Sequence, residues 1–346
     1  MMAEEWPIGA APGDDPHAPA RSAGRDRLAT VRADFFLSVG ERLTEQERAL
    51  MTAMLHCLVG DIADELRAAL PSGAAAANDD RNLALVETLS AARLLDRAYL
   101  MRMLLRRADE ERITTAAKAR SGRRDARVLQ GLVSHDSGAI SAAAMSLILA
   151  RGRRRDRFGQ CLLHFDDLPP DEATALAQIV AAALRNGLVG KGSSDRDSLL
   201  AAAVDDLLVR YDRANGIEDL TAVLVDLLED ESQLSDELVV SAAMEGEITF
   251  VAQALARRSG LAGEVATDEL LSGSERRVMT LLRVAGVRRE LAARLLAGIG
   301  DLLGIADPGR AIATFDGMST DEVDGARSWL AADAGYRAAV ARLEQH

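Results

Sequence analysis

Cysteine, lysine and aromatic residues are scarce in this chain of 346 residues, and each scarcity excludes something. Two cysteines, Cys57 and Cys161, cannot build a disulfide framework in a chain this long; they fit a reducing cytoplasm. Aromatics make up 3% and β-branched runs are few. Sheets draw on those residues, helices on the Ala, Leu, Arg and Glu that are plentiful here, so the fold is expected to be all-α. No apolar stretch reaches the roughly 18 uncharged residues of a membrane span. The opening MMAEEWPIGAAPGDDPHAP has neither a basic n-region nor an apolar h-region, so it is not read as a signal peptide. Among the 41 basic residues only Lys118 and Lys191 are lysine. With the abundant alanine this points to GC-rich codon usage, which makes arginine clusters partly a background effect. The net charge of −13 repels polyanions and disfavours nucleic acid as a partner.

What is present is helical periodicity, and it divides the chain. Residues 1–24 gather Pro7, Pro12, Pro16 and Pro19 among Gly, Ala and Asp, a tail that cannot bury a core. An N-terminal helical unit is expected over 25–72. Thr44 and Glu47 form a capping box there, and Leu50, Met54, Leu58, Ile62 and Leu66 repeat every four residues behind it. Residues 73–80 read as a hinge. A helical array is expected over 80–304, with helices near 82–92, 95–120, 124–134 and 137–151. The last two read as a hairpin around Ser134-His135-Asp136-Ser137-Gly138, with Asp or Ser as N-cap. A C-terminal cap over 305–346 begins with Asp307 and Pro308, and Ser319-x-x-Glu322 opens its last helix.

Four glycines precede an apolar residue where helical periodicity stops: Gly187, Gly216, Gly260 and Gly286. Each is read as a left-handed C′ residue in a Schellman stop. Ala254–Leu261 also aligns with Thr280–Val287 at an offset of 26 residues, the scale of a short helix-turn-helix repeat. The expected architecture is therefore an array of antiparallel helix hairpins, a HEAT-like α-solenoid.

Motifs that carry chemistry are weak. Cys161-x-x-His164 and His56-Cys57 lack the paired spacings of a closed zinc site, so no metal or cofactor is expected. Ser134 to Ser137 holds triad-type residues, but neighbours in one turn cannot aim at each other as a relay requires. Gly187 to Ser193 departs from the phosphate-loop pattern in spacing, and Gly192 replaces its Ser or Thr. Two basic stretches form the candidate interaction surface: Arg120, Arg123, Arg124 and Arg127, then Arg151, Arg153, Arg154, Arg155 and Arg157. Only Phe158 lies near them as a stacking residue, which argues against single-strand binding. Residues 205–237 carry eleven acidic side chains against Arg210 and Arg213, and read by default as a solvated face.

Ala126 to Asp136, Ala142 to Met145 and Arg157-Phe158-Gly159 resemble an uncharacterised alphaproteobacterial family of all-helical proteins with HEAT-like hairpins. Gly246 to Phe250, Ala254 to Leu261 and Leu281 to Val287 are similar to that family's most typical stretch. The likeness spans roughly 30–305. It implies a fold and a bacterial origin, and supplies no catalytic residue. The functional expectation is a non-catalytic scaffold that binds an unknown protein partner. The alternatives are a nucleic-acid-binding repeat protein using the arginine stretches, and an enzyme with a site assembled from scattered residues. Oligomeric state is left open.

Overall fold

A computed structural model describes residues 44–71, 80–122, 127–188 and 193–343. The expected tail (1–24), most of the expected hinge, Arg123, Arg124 and the Gly190-Lys191-Gly192 segment lie outside the described residues. Among the described residues the chain is all-α, with no strand beyond one isolated bridge between Arg155 and Cys161.

The helices fall into two cores. The first is built by α1 (Glu45–Ala69), α2 (Asp80–Ala91), the first half of α3 (Ala98–Ser121), α6 (Pro170–Leu184) and α7 (Ser193–Arg210). The second joins the far half of α3, through Ile113, to α4 (Arg127–Val133) and α5 (Gly138–Arg153). It continues through α8 (Ile217–Asp230), α9 (Asp236–Met244), α10 (Ile248–Ser259), α11 (Gly263–Leu270), α12 (Glu275–Val284) and α13 (Arg289–Ile299). Next come α14 (Pro308–Gly317) and α15 (Thr320–Ala331), the last to reach this core; α16 (Ala334–Leu343) has no buried residue. One helix, α3, thus threads both cores, with Leu100 to Ala108 in one and Ile113 in the other.

Local signals held where the determinant was local. Thr44 Oγ1 accepts from Glu47 N at 3.2 Å and the Glu47 carboxylate reaches back, closing the capping box. Asp307 caps α14 with Pro308 in its first turn, and Ser319 with Glu322 boxes α15. The α4–α5 turn is made differently from expectation. Ser137 occupies the N-cap position but its side chain does not cap; His135 Nδ1 accepts from Ser137 N at 3.1 Å instead.

Two of the four glycine stops are left-handed. Gly260 (φ +72°) and Gly286 (φ +65°) bring Leu261 N onto Ala256 O at 3.2 Å and Val287 N onto Leu282 O at 3.0 Å. The 26-residue offset is explained by them: they end α10 and α12, each followed by a short helix. Gly216 is extended instead (φ −63°) and starts α8. A Cβ there would stand 3.0 Å from the carbonyls of Arg213 and Asp166, so close approach is what demands glycine. Gly187 ends a 3-10 turn, Arg185–Gly187, without a positive φ.

Candidate functional site

The polar face of α3 meets the C-terminus of α5, the N-terminus of α8 and the α9–α10 turn. A run such as Arg106-Arg107-Ala108-Asp109-Glu110 inside a helix points its charges in several directions, and here some must point inward. Arg107 is buried. It donates to Glu110 and to Glu218, each at 2.8 Å, and its Nη2 lies 3.8 Å from Asp167. Asp167 is fully buried and accepts from four groups: Arg154 Nε at 2.9 Å, Arg154 Nη2 at 2.8 Å, His164 N at 3.0 Å and Ile217 N at 3.1 Å. Arg154 also donates to the Asn215 carbonyl at 2.7 Å and the Ala150 carbonyl at 3.1 Å. Buried charges of this kind persist only when paired and hydrogen-bonded.

The titration of the network follows from its geometry. Burial alone would raise the Asp167 carboxyl, but the Arg107 charge and the Arg154 hydrogen bonds outweigh it and hold the group below its ordinary value. Glu218 goes the other way: burial dominates and pushes its carboxyl up despite Arg107.

Toward solvent the lattice continues around a cleft of about 240 Å³. Arg151 pairs with Glu247, and Arg155 with Glu111 at 2.9 Å. Glu110 also accepts from the Thr249 hydroxyl. Thr114 Oγ1 donates to the Gly246 carbonyl at 3.0 Å, closing one rim. Gly246 has φ +79°, and a Cβ on it would lie 2.7 Å from the Thr114 Cα. Cys161 lines the cleft as well. Burial pushes its thiol up to about 11, and the Arg107 charge does not compensate. Near neutral pH we expect a thiol-directed disulfide reagent to titrate the exposed Cys57 of the folded chain faster than the half-buried Cys161. Equal rates for the two would show that the cleft wall does not protect Cys161.

The structure disperses the candidate arginines. Arg120 bonds to Asp301 and, at 3.1 Å, to the Gly298 carbonyl. Arg127 is exposed at the start of α4. Arg151, Arg154 and Arg155 converge on the cleft, where each holds a carboxylate, while Arg153 points to solvent. Arg157 stacks over the Phe158 ring at 4.7 Å. In the acidic stretch Glu218 departs from the solvated reading by pairing with Arg107. Asp236 bonds to Arg258 and Arg288, and Asp226 to Arg257. His164 caps the 3-10 turn Phe165–Asp167 through its Nδ1, and no group of three or more His, Cys, Asp or Glu suited to a metal occurs among the described residues.

Asp167, Glu218 and Arg107 went unrecognised in the sequence. The only local hint is the spacing His164-x-x-Asp167, a capping-box spacing with His where Ser or Thr is usual.

Residues 114–327, from the second half of α3 into α15, match an uncharacterised family conserved in bacteria, DUF2336; the match holds every wall of the cleft but Arg107, Glu110 and Glu111. The chain belongs to that family. No curated protein and no solved structure matches it. The DUF2336 match takes in nearly all of the second core, and it also includes α6 and α7, which complete the first. No described helix is long and apolar enough to cross a membrane.

Proposed function

We propose that this DUF2336 protein is a non-catalytic interaction scaffold. Its helices form a HEAT-like array of hairpins that presents a contact surface to another protein in the cytoplasm. The observation that carries this reading is the tip of the 155–161 hairpin. Phe158 is 75% exposed there, with the Arg157 guanidinium on its face. The tip is rigidly made: Asp156 Oδ1 accepts from both Phe158 N and Gln160 N at 2.8 Å, and Gly159 turns the chain at φ +80°. An aromatic paired with an arginine on a pre-organised turn is the kind of group that dominates protein interfaces. The ionisable groups around the cleft are bound to one another, which suits a structural lattice better than acid–base chemistry. Arg151, Arg154 and Arg155 hold carboxylates, which argues against a phosphate-binding stripe.

The test is a pull-down of the tagged full-length chain from its native bacterium, with and without nuclease, beside Phe158→Ala. We expect a defined protein to survive nuclease and its recovery to fall at least ~30-fold in the variant, the scale of a hot-spot residue. Recovery that vanishes with nuclease would favour nucleic acid instead. An empty result in every arm would favour the enzyme reading.

A further inference from the structure

Helix α5 is uncharged on every side until its last turn, with no charged residue before Arg151. Ile140, Ala144, Leu147 and Ala150 enter the second core. On an ordinary surface helix the opposite side would be charged. Here it carries Ala142, Met145, Ser146 and Leu149, with Met145 42% and Leu149 56% exposed.

Its neighbour α8 continues this apolar surface. Two hydrogen bonds set the pairing of these helices: Arg154 Nη2 to the Asn215 carbonyl at 2.7 Å at one end, Ser137 Oγ to Glu231 at 2.6 Å at the other. The helices therefore run antiparallel. Since both rise about 1.5 Å per residue, counting inward from either bond puts Ala142, Met145 and Leu149 level with Leu227, Val223 and Leu220. Val223 is 53% exposed, and Leu220 and Leu227 are half-buried. The two stripes make one apolar face across adjacent helices, of the kind that marks an association surface.

The charges at its two ends differ in sign. Arg153 is exposed where α5 ends, and the nearby Asp219 is bound to Arg213. Asp136, Glu229 and Glu231 are exposed at the other end, roughly 26 Å away along the helix. A two-fold axis through the level of Met145 and Val223 lays the stripe of one copy on the stripe of another. It also sets Arg153 of each copy against the acidic end of its mate. Such a face is complementary to itself, as an isologous interface requires.

We propose that the α5–α8 face is a homodimer interface. Equilibrium sedimentation of the full chain at micromolar concentrations is expected to give twice the chain mass. Leu149→Asp should raise the dimer dissociation constant at least ~30-fold, as loss of a central interface anchor does. Ser146→Arg alters a solvent-facing position without touching the core, so it should give a folded monomer by circular dichroism even if the aspartate variant misfolds. Arg153→Glu should weaken the dimer, and mixing it with Asp136→Arg should restore association as a heterodimer. A wild-type monomer across the concentration range would overturn the proposal. So would a dimer that persists in Ser146→Arg, or loss of another partner through Leu149→Asp from a chain that is monomeric throughout.

Discussion

Replacing Asp167 by alanine is expected to remove about 3–5 kcal/mol of stability, the range for breaking a buried ion pair from one side. The carboxylate sits at zero exposure and is the partner of Arg154, itself 6% exposed, and the neighbour of buried Arg107. Removing it strips buried Arg154 of its carboxylate, leaves Arg107 with Glu110 and Glu218, and takes the acceptor from the Ile217 and His164 N–H groups. Urea unfolding followed by circular dichroism measures the loss; a change under 1 kcal/mol would show that the network is dispensable. Asp167→Asn keeps an acceptor but not the charge, so its loss should be smaller. The pH dependence has a definite sign. Because the folded carboxyl is held below its ordinary value, its contribution is complete above the unfolded pKa of about 3.9 and is lost as pH falls through the lower folded value. Wild type and Asp167→Asn should therefore differ fully near neutrality and converge in strong acid.

Gly246→Ala is expected to destabilise by roughly 2–5 kcal/mol, combining the left-handed backbone penalty with forced separation of packed backbone. The new methyl would have to stand 2.7 Å from the α3 backbone at Thr114, and a backbone atom cannot swing aside as a side chain can. Gly260→Ala is the control. Its φ is equally left-handed, but nothing lies within 4 Å of the added carbon, so only about 1–2 kcal/mol should be lost. Equal losses in the two variants would mean that α3 does not bear on the α9–α10 turn.

How much was legible in the sequence follows from the range of each determinant. The capping boxes at Thr44 and Ser319 were readable because cap and partner lie three residues apart. The Gly260 and Gly286 stops were readable because a Schellman turn closes within six. Gly216 and Gly187 carry the same local signature without the left-handed turn. At Gly216 the added carbon would meet two carbonyls, Arg213 three residues away and Asp166 fifty away, and a sequence window cannot see the second. Gly246 shows the converse: it ends α9 in the left-handed form, yet polar Glu247 follows it where the other stops have an apolar residue.

The charged residues divide similarly. Runs such as Arg151 to Arg157 look alike on paper. In space one guanidinium is buried on Asp167, two pair at the cleft, Arg153 faces solvent and Arg157 covers an aromatic ring. Glu218 read as one more acid in a solvated stretch, yet it lies against Arg107, more than a hundred residues earlier.

Composition and helix propensity are enough to make the chain all-helical, and capping residues such as Thr44 and Ser319 mark particular helix starts, since these determinants act within a few residues. Tertiary packing is what makes α3 join two cores, links Arg107, Arg154, Asp167 and Glu218 into one buried network, and sets the apolar outer sides of α5 and α8 side by side. Those outcomes depend on which distant segments meet, and the energy of burying a charge or exposing a leucine is set only once they do.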